Sequence, residues 1–121
     1  YLDFMDLLSS NTFLSLHVQY DPKKGCLLGE KELMHMEKGA NLINCYDGRL
    51  VDENALLKAL GATMAEMHLF ATGLDTFQEE PTRNKALLAH DRVSLSPYIG
   101  HDTYESNTRR AQEILDIINS L

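Results

Sequence analysis

Three short polar runs follow apolar stretches and hold most of the side chains with chemistry to offer. Cys45-Tyr46-Asp47 follow Leu42-Ile43-Asn44, Asp75 ends the run from Met67, and Tyr98-Ile99-Gly100-His101 follow Arg92 to Pro97. In open α/β sheets ligands sit beyond the carboxyl ends of parallel strands, so Cys45, Tyr46 and Asp47 are candidates to touch one. Asp75 and Glu80 put a strand-end carboxylate beside a loop carboxylate. Such a pair either handles protons at a site or merely solvates a strand end and a turn, and the residues leave both readings open. Tyr98 donates a proton only against a reference pKa of about 10, a poor match to neutral pH. His101-Asp102 makes a weak metal pair, because adjacent residues on a turn seldom converge on one ion. His17 has no carboxylate or cysteine at matching spacing, which favours a histidine packed at a strand end over a ligand or base.

The elements that must position these groups can be read from local pattern. Asp3 caps a short helix through Phe4, Met5, Leu7 and Leu8, and Thr12 to Val18 reads as a strand. Glu30 to about Lys38 reads as a helix stopped by Gly39. Leu42-Ile43 is a brief run of the kind a buried parallel strand shows, and Gly48 frees the backbone for the turn after it. Asp52 is a good N-cap for the helix Glu53–Leu60, which can run on past Gly61 at a cost of about 1 kcal/mol for glycine. Strands are expected over Met67–Asp75 and Arg92–Ser96, with a helical turn at Lys85–Leu88 between them. The closing helix opens on Asp102-Thr103-Tyr104-Glu105, a capping-box pattern. Its face of Tyr104, Thr108, Ala111, Ile114, Leu115, Ile118 and Leu121 is about 100° wide and is expected to pack on the sheet. Helices alternating with four strands imply a parallel, right-handed α/β layer structure.

Composition sets the bounds. With 121 residues, 44% of them hydrophobic and 24% charged, the chain suits one soluble domain, residues 1–121, with a single core. Its 11 basic and 18 acidic residues give a formal charge of -7, which disfavours non-specific nucleic-acid binding and anionic membranes. No apolar run approaches the roughly 20 residues of a membrane-spanning helix, and no signal peptide is visible. Cys26 and Cys45 lack metal-ligand spacing and read as reduced thiols of a cytoplasmic protein. The chain opens on Tyr1 rather than Met, as a fragment, a trimmed chain or an engineered one would.

Leu42 to Asp52 resembles the Asn-Thr-Ala-Arg-Gly-Gly-Leu-Val-Asp segment of the D-isomer-specific 2-hydroxyacid dehydrogenases, the group that includes phosphoglycerate dehydrogenase. Asn44, Gly48, Leu50, Val51 and Asp52 match in order. Ser15-Leu16-His17-Val18 is similar to the family's Ser-Leu-His-Val-Pro-Leu-Thr, with Gln19 in place of the proline. Gly73 to Pro81 is similar to Gly-Leu-Asp-Val-Phe-Glu-x-Glu-Pro, and Pro97-Tyr98-Ile99-Gly100 to Pro-His-Ile-Gly. The resemblance implies an α/β, three-layer Rossmann-like half domain of about four parallel strands with flanking helices. It also implies NAD as cofactor, with Asp75 on the nicotinamide carboxamide and Cys45, Tyr46 and Gly100 beside it. Glu80 would be the catalytic-site carboxylate that orients the family's histidine. The catalytic arginine and histidine positions hold Asp47 and Tyr98, and Arg49 lies two residues past the first.

These 121 residues contain no Gly-x-Gly-x-x-Gly turn for a pyrophosphate. Two readings follow. The chain is a non-catalytic module, degenerate or engineered from this fold, that binds NAD weakly or not at all. Alternatively it is a fragment of a functional NAD-dependent 2-hydroxyacid dehydrogenase. The strand Phe13–Leu16 would lie at a sheet edge, so the chain is expected to form a homodimer through that edge or by exchange of the closing helix.

Overall fold

A computed structural model describes residues 2–120; Leu121, assigned above to the closing helix, lies outside them. The order is α1 (Phe4–Ser9), β1 (Phe13–Ser15), α2 (Glu30–His35), β2 (Asn41–Asn44), a 3-10 turn (Gly48–Leu50), α3 (Glu53–Leu60), β3 (Ala71–Leu74), α4 (Lys85–Leu88), β4 (Val93–Leu95) and α5 (Tyr104–Asn119). The strands form one sheet, ordered β1-β2-β3-β4 and parallel throughout. The expected elements are present, with β1, β3 and β4 two to five residues shorter than their expected runs, β2 one residue longer at each end than Leu42-Ile43, and α2 ending at His35, before the stop expected at Gly39.

The register shows which side is covered. Leu14 pairs with Leu42, Leu42 with Thr72 and Thr72 with Val93, while Asn44 pairs with Leu74 and Leu74 with Leu95. These side chains are buried or half-buried and join Leu8, Leu33, Leu56, Leu60 and Leu87 of α1 to α4 in one core. The alternate residues Phe13, Ser15, Ile43 and Ser94 are exposed. Successive right-handed crossovers that always step in one direction put every crossover helix on the same face. The closing helix α5, expected to pack on the sheet, has no buried residue.

Local chemistry explains the ends of α3. The Asp52 carboxylate accepts from the N–H groups of Asn54 and Ala55 at 2.9 and 3.0 Å, satisfying the first turn as expected of an N-cap. The helix does not run on past Gly61, which adopts φ 65° and lies so close to the next loop that a Cβ would come within 2.8 Å of the Glu66 backbone. Arg92 donates to the carbonyls of Leu60 and Gly61, placing a cation on the negative end of the helix. Strand β4 is thereby tied to α3 at the end of the sheet opposite the loops that carry Asp47, Asp75 and Tyr98.

Candidate functional site

The loops after β2, β3 and β4 meet at the carboxyl edge of the sheet. Asn44, buried at the end of β2, shapes the first: its amide donates to the Asp47 carbonyl at 2.8 Å, and its side-chain oxygen accepts from Tyr46 N–H at 3.2 Å. The turn then passes so close to Phe77 that any Cβ at Gly48 would collide with the Phe77 backbone. Gly48 thus holds the first loop against the second. Glu80 folds the second loop back by accepting from Phe77 N–H at 3.1 Å.

Asp75 fastens the third loop. It is 2% exposed, and its Oδ1 accepts from the Ser96 hydroxyl at 2.6 Å and from Ile99 N–H at 3.0 Å, while Oδ2 accepts from Gly100 N–H at 2.8 Å. Burial pushes this carboxyl upward, yet the Ser96 hydroxyl, the two backbone donors and the charge of His101 together hold it below the usual range. A Cβ at Gly100 would come within 2.9 Å of Oδ2, so glycine is what lets the backbone reach the carboxylate. Between Asp75 and Gly100 the chain turns sharply, with Tyr98 at φ 57°, a region a bulky residue seldom enters. The Tyr98 ring lies 4.9 Å from that of His101.

Asp47 does not stand alone. Arg49 grips it in two places, Nε to Oδ1 at 3.0 Å and Nη2 to Oδ2 at 2.6 Å, and the guanidinium carbon lies 4.4 Å from the centre of the Tyr20 ring. The Arg49 guanidinium holds the Asp47 carboxyl below its ordinary pKa. The two side chains form a self-neutralised pair at the mouth of the site.

Tyr46, Asp47, Arg49, Phe77, Glu80 and Tyr98 line a cleft of about 270 Å³, and Glu80 and Tyr98 also border an adjoining apolar cavity of about 600 Å³ between α4 and β4. Of the residues singled out from sequence, Tyr46, Asp47, Glu80 and Tyr98 come together here. Asp75 and Gly100 lock together by a hydrogen bond, and Cys45 is exposed and lines neither space. Sequence reasoning missed Ser96, Tyr20 and Thr76; the Thr76 hydroxyl is buried with no hydrogen-bond partner. It also missed Glu53, whose carboxylate accepts from Gln78 N–H at 2.9 Å and from the Asn84 amide at 3.0 Å, bracing the loop that carries Glu80. A glutamate directly after a helix cap gives no signal of a partner 25 residues away. His17 sits exposed with Nε2 2.8 Å from the Ser15 hydroxyl. Among the described residues no group of three or more His, Cys, Asp or Glu could hold a metal ion, and no helix is long and apolar enough to cross a membrane.

Residues 1–100 match the family model described as D-isomer specific 2-hydroxyacid dehydrogenase, NAD binding domain. The chain belongs to this family. Among the D-isomer specific 2-hydroxyacid dehydrogenases, a glyoxylate reductase of Thermococcus litoralis is 42% identical over 112 residues, covering 93% of this chain and 33% of the relative. The crystal structure of a glyoxylate reductase from Paecilomyes thermophila superposes with a TM-score of 0.87 at 32% identity, over 99% of this chain and 35% of that one. A D-lactate dehydrogenase of Aquifex aeolicus, solved with NAD and lactic acid, gives a TM-score of 0.83 at 26% identity, over 99% of this chain and 40% of that one. The chain spans about a third or less of the length of the curated relatives it matches. The matching family model and structures support the sequence resemblance and the parallel Rossmann-like sheet.

Proposed function

We propose that these 121 residues form the nicotinamide-side half of an NAD-binding fold that does not itself carry out hydride transfer. The observation that carries this reading is the Asp47–Arg49 pair, closed at 2.6 Å where the family resemblance puts a catalytic arginine. An anionic 2-oxo acid meets a carboxylate there, and the nearest cation is already engaged by that carboxylate. Tyr98 stands at the position of the family's histidine, and its phenol is poorly matched to proton exchange near neutrality. Glu80 keeps the family's carboxylate but has no histidine at that position to orient.

The residues present do not make a dinucleotide site. Hydride transfer needs both reacting carbons held close and aligned, so the cofactor must be fixed along its length. Asp75, which by resemblance would meet the carboxamide, is buried and spends three acceptor positions on its own loop, leaving about one of a carboxylate's four lone-pair sites. The formal charge of -7 adds an unfavourable field for an anionic cofactor. No catalytic step through NAD is derived for this chain.

Titrating NADH by fluorescence and calorimetry, then assaying oxidation with glyoxylate and other 2-oxo acids, tests the proposal. The expected result is no submillimolar binding and no turnover; submillimolar binding together with turnover would overturn the proposal. The alternative, that the chain is the nicotinamide end of a working dehydrogenase of soluble, cytoplasmic type, draws support from Asp75 and Glu80. Under that reading activity needs a glycine-rich half and a substrate domain beyond these 121 residues, so Asp47→Arg with Tyr98→His is expected to bring them no turnover under either reading.

A further inference from the structure

Glu80 stands where two spaces of different character meet. Together with Phe77 and Tyr98 it lines both the cleft of about 270 Å³ and the apolar cavity of about 600 Å³. The cleft adds Tyr46, half exposed, and the cavity adds Leu88, Leu95 and Pro97. Glu80 Oε1 accepts from Phe77 N–H at 3.1 Å, whereas among the described residues Oε2 has no hydrogen-bond or ion-pair partner. The other two charges at the cleft cancel, because Arg49 and Asp47 hold each other at 2.6 Å. What remains is one free carboxylate oxygen beside aromatic walls and an apolar space. Tyr98 is set at this junction by its own loop: it turns at φ 57°, and Asp75 fastens the two residues after it by accepting from the N–H groups of Ile99 and Gly100.

We infer that this junction binds a small primary amine with an unbranched apolar tail, the ammonium at Glu80 beside Tyr46 and Tyr98 and the tail in the cavity between α4 and β4. The inference deepens the proposed function and rests on its reading of the Asp47–Arg49 pair as closed to anions. Three ligand classes compete for such a place. An acid with the same tail brings its carboxylate against Glu80 with no free cation to offset the repulsion. A neutral alcohol fills the cavity but takes water from a carboxylate oxygen without matching its charge, which costs free energy. An ammonium donates to Oε2 in a charge-assisted bond and lies against phenol rings that attract cations, while its remaining N–H groups face water at the open cleft. The tail then sets the affinity, since each methylene removed from water is worth about fourfold. A cavity of about 600 Å³ is within the usual size of small-molecule sites. The formal charge of -7 favours the approach of a cation from a distance.

Amide NMR of the full chain, titrated with hexylammonium chloride, hexanol and sodium hexanoate, reads both place and preference. Hexylammonium is expected to saturate in the millimolar range, moving the amides of Phe77, Leu88, Leu95 and Tyr98. It should bind about tenfold more tightly than hexanol, from one exposed ion pair and one cation–π contact together, and hexanoate should bind weakest. Butylammonium, two methylenes shorter, should bind about tenfold more weakly than hexylammonium. Glu80→Gln keeps an oxygen for the Phe77 N–H and should erase the advantage of the amine over the alcohol. Asp47→Asn takes the charged partner from Arg49, so it should weaken hexylammonium and strengthen hexanoate. The inference is overturned if hexylammonium gives no saturable shifts, if the shifts lie elsewhere, or if hexanol or hexanoate binds as tightly. It is equally overturned if Glu80→Gln leaves the preference unchanged. NADH binding with turnover overturns the proposed function and this inference with it, whereas a chain inert to both NADH and hexylammonium loses this inference alone.

Discussion

Asp75 turns the β4 loop into a fixed object, because one buried carboxylate satisfies a hydroxyl and two backbone N–H groups at once. Replacing it with alanine strands all three donors, and the expected cost is about 2–3 kcal/mol, measured by urea unfolding. The conservative Asp75→Asn keeps the shape but exchanges a charged acceptor for an amide that also brings donors of its own. It should separate the electrostatic part through pH. The native pKa of Asp75 is lowered. Its contribution is therefore fully present above the unfolded carboxylate value of about 3.9 and is lost as pH falls through the lowered native value. Stability of the unchanged chain should fall over that acid range, and Asp75→Asn should flatten the fall; equal slopes for the two proteins would remove Asp75 as a cause. Asp47 is held low by Arg49 in the same direction. Its pair is surface-placed, so its share of the acid dependence is small.

The ends of α3 show what local pattern can and cannot reveal. Asp52 was legible as a cap because a side-chain oxygen one residue before a helix has a single obvious use, and it does accept from Asn54 and Ala55. Gly61 was not legible as a stop, because glycine propensity alone costs too little to end a helix. The missing information was tertiary: the positive φ and the close approach of Glu66. Gly61→Ala should destabilise by about 1–2 kcal/mol, since alanine must take a left-handed backbone and meet that loop. Asp52→Ala should cost about 1 kcal/mol by loss of the cap. Thermal or urea unfolding of both variants checks the pair; a neutral Gly61→Ala would show that the Glu66 loop yields freely. The same division holds at the site. The strand-end positions of Asp47, Asp75 and Tyr98 followed from periodicity and family motif. Arg49 turning back onto Asp47, Ser96 bonding Asp75 and Glu53 bracing Gln78 and Asn84 are side-chain choices that spacing does not encode.

Across the whole molecule, stability divides unevenly. One face of the sheet and α1 to α4 share a single core, in which Leu28, Leu33, Leu42, Leu56, Leu60, Leu69 and Leu87 are all fully buried. The reading that placed α5 over the sheet rested on its amphipathic period, which identifies a face that needs cover but not the surface that supplies it. Without burial in its own chain, α5 has only its internal hydrogen bonds and the Thr103 cap, which accepts from Ser106 N–H at 3.1 Å. Local opening free energy follows buried contact, so the two parts should exchange backbone hydrogens on different scales. Amides of α5 should exchange at close to unprotected rates, whereas those of Leu56, Ala59 and Leu60 exchange only with global unfolding. Protection of α5 as strong as that of α3 would mean that the helix is covered, and the two parts would then not divide in stability.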